Sequence, residues 1–268
     1  MGGSLYPIEM LIERRDTLVE LAISASLAAK VAILEIVGKS IAVTTKGDGS
    51  PLSLADQLSH QIINSHLESS GLPIVSEEGA DLYLAANRYW LVDPLDGTKD
   101  FLAGNGEYTI NIALVEDGYP VFGVVCIPEQ HLVYFSTPDK NVFEQSEGGR
   151  KQVSKQLMRS SVLRMAVSRF HDVPASNIFA NKNNITIKIP VGANLKYIQM
   201  MLGNLDVYPR FVGTSEWDTA AAQAILEAAK GCVINLQSGL RLRYGKKDRR
   251  NGQFLAFRAP YVLEDFLL

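Results

Sequence analysis

The chain has few cysteines and no pair of them in metal-binding spacing. Only Cys126 and Cys232 occur among 268 residues, and they do not form a Cys-x-x-Cys motif. A disulfide framework and a cysteine-based zinc site are therefore not indicated, and the composition fits a reducing compartment. Both cysteines lie in apolar, strand-like runs, so we expect them to be buried as small hydrophobic residues.

Long uninterrupted apolar runs are also lacking. The most membrane-like stretch, from Leu18 to Val37, is broken by Glu20, Lys30 and Glu35, whereas a spanning helix needs about 20 predominantly apolar residues. Its apolar side chains recur at helical spacing. We therefore predict a long amphipathic helix over about residues 8–37, packed on the core of a soluble, cytoplasmic protein.

A large excess of charge of either sign is absent as well. The chain has 26 basic and 29 acidic residues, for a net charge of −3, and this balance gives no support for nucleic-acid binding. Apolar residues make up 47% and charged residues 21%, which is the ordinary range for a globular protein. Composition thus bounds the class of protein and leaves its function open.

The periodicity of the chain changes from helical to strand-like near Glu107. After it, three apolar segments separated by turn residues predict a meander of hairpins over 108–115, 121–127 and 132–136. We predict helices over 53–69, 194–202 and 217–230, short strands near 73–76, 89–92, 163–167, 185–189 and 232–236, and the loosest segment at 144–155. Segregated antiparallel strands with layered helices indicate an α+β fold.

The most informative local feature is Trp90-Leu-Val-Asp-Pro-Leu-Asp-Gly-Thr-Lys-Asp-Phe101. We expect Pro94 to prevent simple continuation of a central strand, and the chain to turn through Gly97 into a short helix that begins near Thr98. Asp93 and Asp96 can converge on one magnesium ion, which prefers carboxylate and water oxygens. Free amides at the helix start suit a phosphate.

Three other acidic segments are less specific. Glu77 follows a buried strand, Asp48 lies in a glycine-flanked turn, and Asp218 opens a helix. Each arrangement alone is typical of a turn or a helix cap. Their significance depends on whether the fold brings them to Asp93.

Three segments in this order resemble the inositol monophosphatase superfamily: Ser76-Glu-Glu, Trp90 to Phe101, and Glu216-Trp-Asp-Thr-Ala-Ala221. Together with Tyr208-Pro-Arg-Phe211, they are most similar to its 3'(2'),5'-bisphosphate nucleotidases of the CysQ type. The resemblance extends from about Asp16 to the C-terminus. It implies a layered αβαβα fold and a magnesium-dependent, lithium-sensitive phosphomonoesterase. We divide the chain into halves of 1–160 and 161–268 that form one compact unit, with the site at their seam.

The resemblance also implies roles for individual residues. Thr98, paired with Asp48, would orient and help deprotonate the attacking water, and Glu77 would take part in catalysis. Gly97 and Thr98 would hold the phosphate through backbone amides. The residues expected to bind two or three Mg²⁺ are Glu77, Asp93, Asp96, Asp218 and the carbonyl of Leu95. All of these except Asp93 are also expected to border the substrate.

Contacts to the nucleotide are implied for Ser168, His171, Gly192 and Lys196. The sequence departs from the nucleotidase pattern here, because Phe170, Ala193 and Asn194 stand where serines are usual. These departures leave the identity of the substrate open. We expect the basic cluster between residues 241 and 250 to be a solvated loop that lends positive potential to an anionic substrate.

The expected activity is hydrolysis of adenosine 3',5'-bisphosphate to AMP, with its sulfated precursor as a further candidate substrate. An inositol or sugar monophosphatase is the first alternative, and a catalytically silent nucleotide- or metal-binding regulator is the second. The expected partner is a small phosphorylated nucleotide, with no nucleic acid and no transmembrane segment. The oligomeric state stays open between monomer and homodimer, and the family likeness adds peripheral inner-membrane association as an alternative to a purely cytoplasmic location.

Overall fold

A computed structural model describes residues 8–37, 43–45, 51–79, 86–169 and 174–268. Two sheets alternate with three layers of helix, so the order through the molecule is helix, sheet, helix, sheet, helix. The predicted α+β class and its αβαβα layering are confirmed. The packing of apolar side chains between these layers explains the order.

In the described residues the α-helices are α1 Ile8–Ile36, α2 Leu54–Leu67, α3 Thr98–Leu102, α4 Pro174–Lys182, α5 Leu195–Met201 and α6 Ala220–Ala228. The strands are β1 Val43–Thr45, β2 Pro51–Ser53, β3 Ile74–Ser76, β4 Arg88–Asp96, β5 Thr109–Glu116, β6 Tyr119–Ile127, β7 Leu132–Ser136, β8 Val142–Ser146, β9 Gly149–Gln152, β10 Arg164–Val167, β11 Ile187–Pro190, β12 Val207–Arg210, β13 Cys232–Asn235 and β14 Phe254–Phe257. β1 and β2 pair antiparallel as a separate two-stranded sheet.

The larger sheet has the order β3-β4-β5-β6-β7-β8-β9, with β3 and β4 parallel and the other neighbours antiparallel. α1 and α2 cover one face of it. Ala22 and Ile33 of α1 pack in one apolar cluster with Trp90 and Phe122 of the sheet. The predicted packing of the N-terminal helix on a core is therefore confirmed. By length and composition alone, its segment Arg15–Ile36 could also cross a membrane.

The smaller sheet has the order β11-β10-β12-β14-β13. α5 and α6 lie between the two sheets, where Ile198 and Ile225 share a core with Leu91 of the larger sheet and Ala256 of the smaller one. α4 covers the outer face of the smaller sheet through Phe179. α6 thus fixes the position of one sheet relative to the other, because it packs against strands of both.

Two local expectations are wrong. The segment predicted to be loosest, 144–155, contains most of the β8–β9 hairpin at the end of the larger sheet. Its charges are paired: Arg150 binds Glu20 of α1, and Lys151 binds Glu144 of the neighbouring strand. The strand predicted over 89–92 is also longer than expected, since β4 runs to Asp96. Its continuation past Pro94 is not simple, because the pairing with β5 shifts register between Asp93 and Asp96. The short helix predicted near Thr98 is present as α3.

Candidate active site

A bulge in β4 places Asp93 and Asp96 on the same side of the larger sheet. Asp93 pairs with Asn111 of β5, and Asp96 pairs with Thr109, so three steps along β4 oppose two along β5. Successive side chains of a strand alternate between faces, and one extra residue reverses that alternation. Pro94, which cannot donate to the ladder, is accommodated in this bulge. The spacing Asp-Pro-Leu-Asp therefore delivers two carboxylates to one site.

Glu77 reaches the same site from the adjacent strand. β3 runs parallel to β4 with Ser76 opposite Val92, and the Glu77 amide donates to the Val92 carbonyl at 3.2 Å. Glu77 therefore follows β3 at the level at which Asp93 follows Val92. The acidic residue that follows β3 and the one in the bulge of β4 therefore meet, as the family resemblance implied.

Gly97 turns the chain from β4 into α3. Its φ is 91°, and a Cβ at this position would lie 3.1 Å from the Glu107 carbonyl oxygen, so a side chain would be strained and crowded. The turn brings Thr98 to the start of α3. The Thr98 hydroxyl lies 3.3 Å from the Leu95 carbonyl and 3.5 Å from the Asp56 carboxylate.

Asp218 comes from the segment preceding α6 and is the acidic contribution of the C-terminal half to this site. Its carboxylate accepts a 2.8 Å hydrogen bond from the Ser215 amide. This bond orients the carboxylate without neutralising it. Helix α6, which begins two residues later, is held between the sheets, so the position of Asp218 depends on the central helical layer.

The carboxylates of the site raise one another's pKa. Burial, followed by the charges of Glu77, Asp96 and Asp218, raises the pKa of Asp93 well above its usual range. Burial and then the charge of Asp96 raise the pKa of Asp218 to about 7. The pKa of Asp96 is raised by burial against the opposing effects of Lys196 and a hydrogen bond from Asn111. These groups interact electrostatically, which fits a site that requires a cation between them.

The donor set fits a hard divalent cation. Four carboxylates and the Leu95 carbonyl supply only oxygen, the ligand type that magnesium prefers, and all five residues border the same cavity. Among the described residues, no three acidic, histidine or cysteine side chains are gathered closely enough to form a finished cage. The five residues therefore fit a magnesium site by the chemistry of their oxygen ligands and by their common position at one cavity.

The cavity has a volume of about 540 Å³. It brings together every sequence-predicted site residue that the structure describes: Glu77, Asp93, Leu95, Asp96, Gly97, Thr98, Ser168, Gly192, Lys196 and Asp218. Asp48 and His171, with Phe170, lie outside the described residues. The roles assigned to individual residues stay predictions.

Gly192 and Lys196 have defined surroundings in this cavity. The Gly192 amide donates to the Glu107 carboxylate at 2.7 Å, and a Cβ on Gly192 would lie 2.6 Å from the Glu107 carbonyl oxygen. Lys196 is buried, donates to the Ala193 carbonyl at 2.5 Å and lies 5.0 Å from the centroid of the Tyr208 ring. A glycine is therefore required at 192 by close packing, and Lys196 presents its charge from a fixed position.

Basic residues border the cavity alongside the acidic ones. They are Lys99, Arg169, Lys196, Arg210 and Arg250. Such a mixture suits a ligand with several negative charges whose reacting group meets the acidic part through a cation, because positive side chains attract the remaining charge. No local pattern indicated that Arg169 and Arg210 would border the same cavity as Asp93, and both lie in segments that take part in the family resemblance.

The basic cluster between residues 241 and 250 is a solvated loop only in part, since Arg243, Lys247 and Arg250 are exposed whereas Arg249 is buried. Arg250 also borders the cavity, which agrees with the expected positive potential. Glu216 is fully buried and pairs with Lys246 at 2.6 Å and with Arg249 at 3.4 Å. It also accepts the Gly245 and Lys246 amides. Two members of the cluster, Lys246 and Arg249, thus help to fix the segment before α6, which bears Asp218, because a buried carboxylate needs such partners.

Sequence reasoning missed Asp56 and the polar groups around Asn194. Asp56 is buried and reaches Thr98, but in the sequence its only signal was its place in the first turn of a predicted helix. Asn194, Tyr197 and Trp217 border the cavity with buried polar atoms that have no hydrogen-bond partner. Buried polar groups are normally paired, so these atoms are candidates for ligand contacts.

Comparison with known proteins agrees with this geometry. Residues 14–261 match the model of the inositol monophosphatase family, and the chain belongs to this family. It is 34% identical over 215 residues to the 3'(2'),5'-bisphosphate nucleotidase CysQ of Escherichia coli K12, which covers 78% of this chain and 86% of that protein. It is 36% identical over 216 residues to CysQ of Buchnera aphidicola, covering 79% and 80% of the two chains.

The similarity extends to a solved structure. The crystal structure of CysQ from Bacteroides thetaiotaomicron, described as a bacterial member of the inositol monophosphatase family, has a TM-score of 0.80 and 31% sequence identity. The alignment covers 91% of this chain and 98% of that one. The layered fold and the family assignment therefore rest on agreement along nearly the whole chain.

Proposed function

We propose that the protein is a magnesium-dependent 3'(2'),5'-bisphosphate nucleotidase that converts adenosine 3',5'-bisphosphate to AMP and inorganic phosphate. The observation that supports this most directly is a single cavity in which four carboxylates lie next to Lys196 and other basic side chains. The four carboxylates are those of Glu77, Asp93, Asp96 and Asp218. The acidic part suits the cations and the reacting phosphate, and the basic part suits a second phosphate. The E. coli and Buchnera relatives named for this activity support the same substrate class.

In the proposed reaction, water attacks phosphorus, the bond from phosphorus to the ribose 3'-oxygen breaks, and that oxygen takes up a proton. Bound Mg²⁺ would supply Lewis-acid stabilisation of the phosphoryl oxygens and a more acidic water. Asp93, Asp96, Asp218, Glu77 and the Leu95 carbonyl would hold two or three such ions.

The chain's own groups would then orient the reactants. The amides of Gly97 and Thr98 would bind the phosphate at the start of α3, and the Thr98 oxygen would accept a hydrogen bond from the attacking water. Asp48 would accept the proton of Thr98, and Glu77 would assist from the other side. Ser168, His171, Gly192 and Lys196 would contact the remainder of the nucleotide.

The halves 1–160 and 161–268 would act as one unit, because each contributes acidic groups to the cavity. A cytoplasmic location fits the two free cysteines, Cys126 and Cys232.

An inositol or sugar monophosphatase is the second candidate function. The observation in its favour is that Ala193 and Asn194 stand at positions where nucleotidases usually have serines.

A phosphate-release assay on a substrate panel tests the proposal. We expect Mg²⁺-dependent, Li⁺-inhibited turnover of adenosine 3',5'-bisphosphate with a kcat/KM well above that for inositol 1-phosphate. Comparable or reversed values would contradict the nucleotidase assignment, and release that is independent of divalent cations would contradict the metal site. Asp117→Asn is a suitable control, because Asp117 is an exposed turn residue with φ of 53°, a conformation that asparagine also adopts readily.

A further inference from the structure

The side chain of Glu107 binds two segments that follow neighbouring strands of the smaller sheet. Its Oε2 accepts a hydrogen bond from Arg169 Nη2 at 2.6 Å and another from the Gly192 amide at 2.7 Å. Arg169 and Gly192 each lie two residues beyond a paired position, since Val167 of β10 is opposite Pro190 of β11. One carboxylate thus connects the ends of both strands to the N-terminal half of the chain.

Glu107 is itself held by the segment that follows α3. The Glu107 amide donates to the Asn105 side-chain oxygen at 2.9 Å, and the Asn105 side-chain nitrogen donates to the Asp100 carboxylate at 2.5 Å. Asp100 lies in α3, is buried, and has its Oδ1 3.3 Å from Arg169 Nε. Two carboxylates therefore hold one guanidinium from different atoms, and charge-assisted hydrogen bonds of this kind are short and strong.

The backbone of Glu107 lies between two glycines of the site. A Cβ on Gly97 would lie 3.1 Å from the Glu107 carbonyl oxygen, and a Cβ on Gly192 would lie 2.6 Å from the same atom. Gly97 belongs to the expected phosphate cradle, and Gly192 belongs to a segment expected to contact the rest of the nucleotide. The position of Glu107 therefore sets the spacing between these two parts of the site.

Glu107 acts from outside the substrate cavity. Arg169 and Gly192 border the cavity that contains the four carboxylates, whereas Glu107 borders a second cavity, and Val191 borders both. The one proton of the Gly192 amide goes to Glu107, so the carbonyl oxygen is the polar atom of Gly192 that is left for a nucleotide. Because two carboxylates offset its charge, Arg169 adds less positive potential to the cavity than its place there suggests.

We propose that Glu107 is a positioning residue for substrate binding, which fixes the segments of Ser168 and Gly192 relative to the phosphate cradle at Gly97. The inference rests on the proposed function, since that function makes these segments contact the part of the substrate that leaves. Glu107 then governs the binding of that part and not the chemistry at phosphorus. Its side chain does not touch the substrate.

The changes of KM and kcat in Glu107→Ala test this proposal. A hydrogen bond to a charged group contributes about tenfold or more to an equilibrium constant, and binding lost equally from the ground and transition states raises KM alone. We expect KM for adenosine 3',5'-bisphosphate and the inhibition constant of AMP to rise about tenfold, with kcat within about twofold of the wild type. The inhibition constant of inorganic phosphate, which lacks the nucleotide, should not change.

A second substitution separates positioning from direct contact with the substrate. Arg169→Met should also raise KM, but the double variant with Glu107→Ala should raise KM by less than the product of the two single effects, because both act through one contact. Effects that multiply fully would show that Arg169 acts independently of Glu107, and they would overturn the proposal. Glu107→Gln keeps an acceptor oxygen for the Gly192 amide and should give an intermediate KM.

Glu147→Ala is the matched control, since Glu147 is a glutamate whose side chain is 83% exposed, and it should match the wild type. Circular dichroism and the melting temperature establish folding, and Glu107→Gln replaces the alanine variant throughout if that one does not fold. A folded Glu107 variant with wild-type KM and AMP inhibition overturns the proposal. A lower kcat at unchanged KM also overturns it, because Glu107 would then act on the chemical step.

Wild-type kinetics separate this inference from the proposed function. If the wild type cleaves inositol 1-phosphate in preference to adenosine 3',5'-bisphosphate, the proposed function fails. The same variants are then compared on inositol 1-phosphate, because Ser168 and Gly192 border the same cavity for either ester. A raised KM with unchanged inhibition by inorganic phosphate supports the role of Glu107, and an unchanged KM overturns it.

Discussion

Asp93 is surrounded by negative charge while almost completely buried, at 1% exposure. We expect Asp93→Asn to leave a folded protein and to lower kcat/KM by ~10³-fold or more, since several kcal/mol of charge stabilisation in the transition state would be lost. Its melting temperature in EDTA should be at least that of the wild type, because one repelling buried charge is removed. Phosphate-release kinetics and thermal unfolding measure both effects.

The exposed Asp117→Asn serves as the control for these measurements and should match the wild type in both. An Asp93→Asn enzyme with substantial magnesium-dependent turnover would show that Asp93 is not a ligand. A variant that melts well below the wild type in EDTA would instead indicate a structural role for the carboxylate.

Gly192 is a second position where one side chain decides the outcome. An added Cβ would lie 2.6 Å from the Glu107 carbonyl oxygen and 2.8 Å from the Asp100 carboxylate, distances that force the backbone or these groups to move. We expect Gly192→Ala to lower stability by about 1–3 kcal/mol and to raise KM, since the segment 191–197 lines the cavity. Urea unfolding and steady-state kinetics measure these changes.

Gly148→Ala provides the comparison, because its Cβ would approach the Ser146 hydroxyl only to 3.6 Å, and the residue is exposed in the β8–β9 turn. It should leave stability and KM nearly unchanged. Similar effects of the two substitutions would show that the crowding at Gly192 is relieved by relaxation.

Among the strands of the smaller sheet, Asp206 forms the central ionic connection. It precedes β12, is fully buried, and accepts hydrogen bonds from Arg164 of β10 at 2.9 Å and from Arg258 after β14 at 2.9 Å. Removing one partner of a buried pair typically costs about 3–5 kcal/mol, and we expect Asp206→Asn to destabilise the protein by that order. Urea unfolding measures this loss of stability. The comparison is Glu20→Gln, which removes the exposed ion pair of Glu20 with Arg150 and should change the free energy of unfolding by less than about 1 kcal/mol.

The contribution of Asp206 should also depend on pH. Burial would raise the pKa of Asp206, but hydrogen bonds from Arg164 and Ser160, together with the charge of Arg258, outweigh it and lower the pKa below 3.8. A carboxyl group whose pKa is lower in the folded protein contributes stability above its unfolded pKa and loses it as pH falls through the folded value. The stability difference between wild type and Asp206→Asn should therefore narrow below about pH 4. A difference that stays constant from pH 7 to pH 2.5 would contradict this assignment.

An element could be predicted from the sequence where its local pattern of apolar and turn residues agreed with its tertiary contacts. The hairpins of β5, β6 and β7 were predictable because apolar strands alternate with turn residues. The β8–β9 hairpin was not, because β9 is exposed along its length and is held by ion pairs with α1 and β8 that no local pattern reveals. Asp56 was missed for the same reason: a buried acid in a first helical turn has the sequence appearance of an ordinary one.

The arrangement of layers explains why the site residues are widely separated in sequence. Asp93 lies in β4 and Glu77 follows β3, both in the larger sheet, whereas Asp218 precedes the helix between the two sheets. That they meet was implied by the resemblance to a known family, which covers most of the chain, whereas each acidic segment taken alone left it open. The positions of Arg169 and Arg210 could not be predicted from local patterns, because they depend on how the C-terminal sheet faces the cavity. The position of Arg250 agrees with the positive potential expected of its loop.

Cation binding should stabilise the entire molecule, because the acidic groups come from the larger sheet and from the segment that leads into the central helical layer. At a Mg²⁺ concentration 100 times the dissociation constant we expect about 2.7 kcal/mol of stabilisation, which for a chain of this size corresponds to ~5–10 °C in melting temperature. EDTA should reverse the shift, and differential scanning calorimetry measures it. Asp93→Asn should show a much smaller shift, and an equal shift in that variant would place the bound ion elsewhere.

The bulge between Asp93 and Asp96 has a consequence for how this segment can change over time. Because the extra residue sets which face of β4 each later side chain occupies, the number of residues between the two acids matters more than their identity. Deleting Pro94 or Leu95 would restore the ladder with both carboxylates on one face, but it would remove one of the two backbone carbonyls between them. Inserting one residue would turn the second carboxylate toward the opposite face, into the apolar packing under α1 and α2. Insertions and deletions, which surface loops usually tolerate, are therefore far more damaging here than replacement of either intervening side chain.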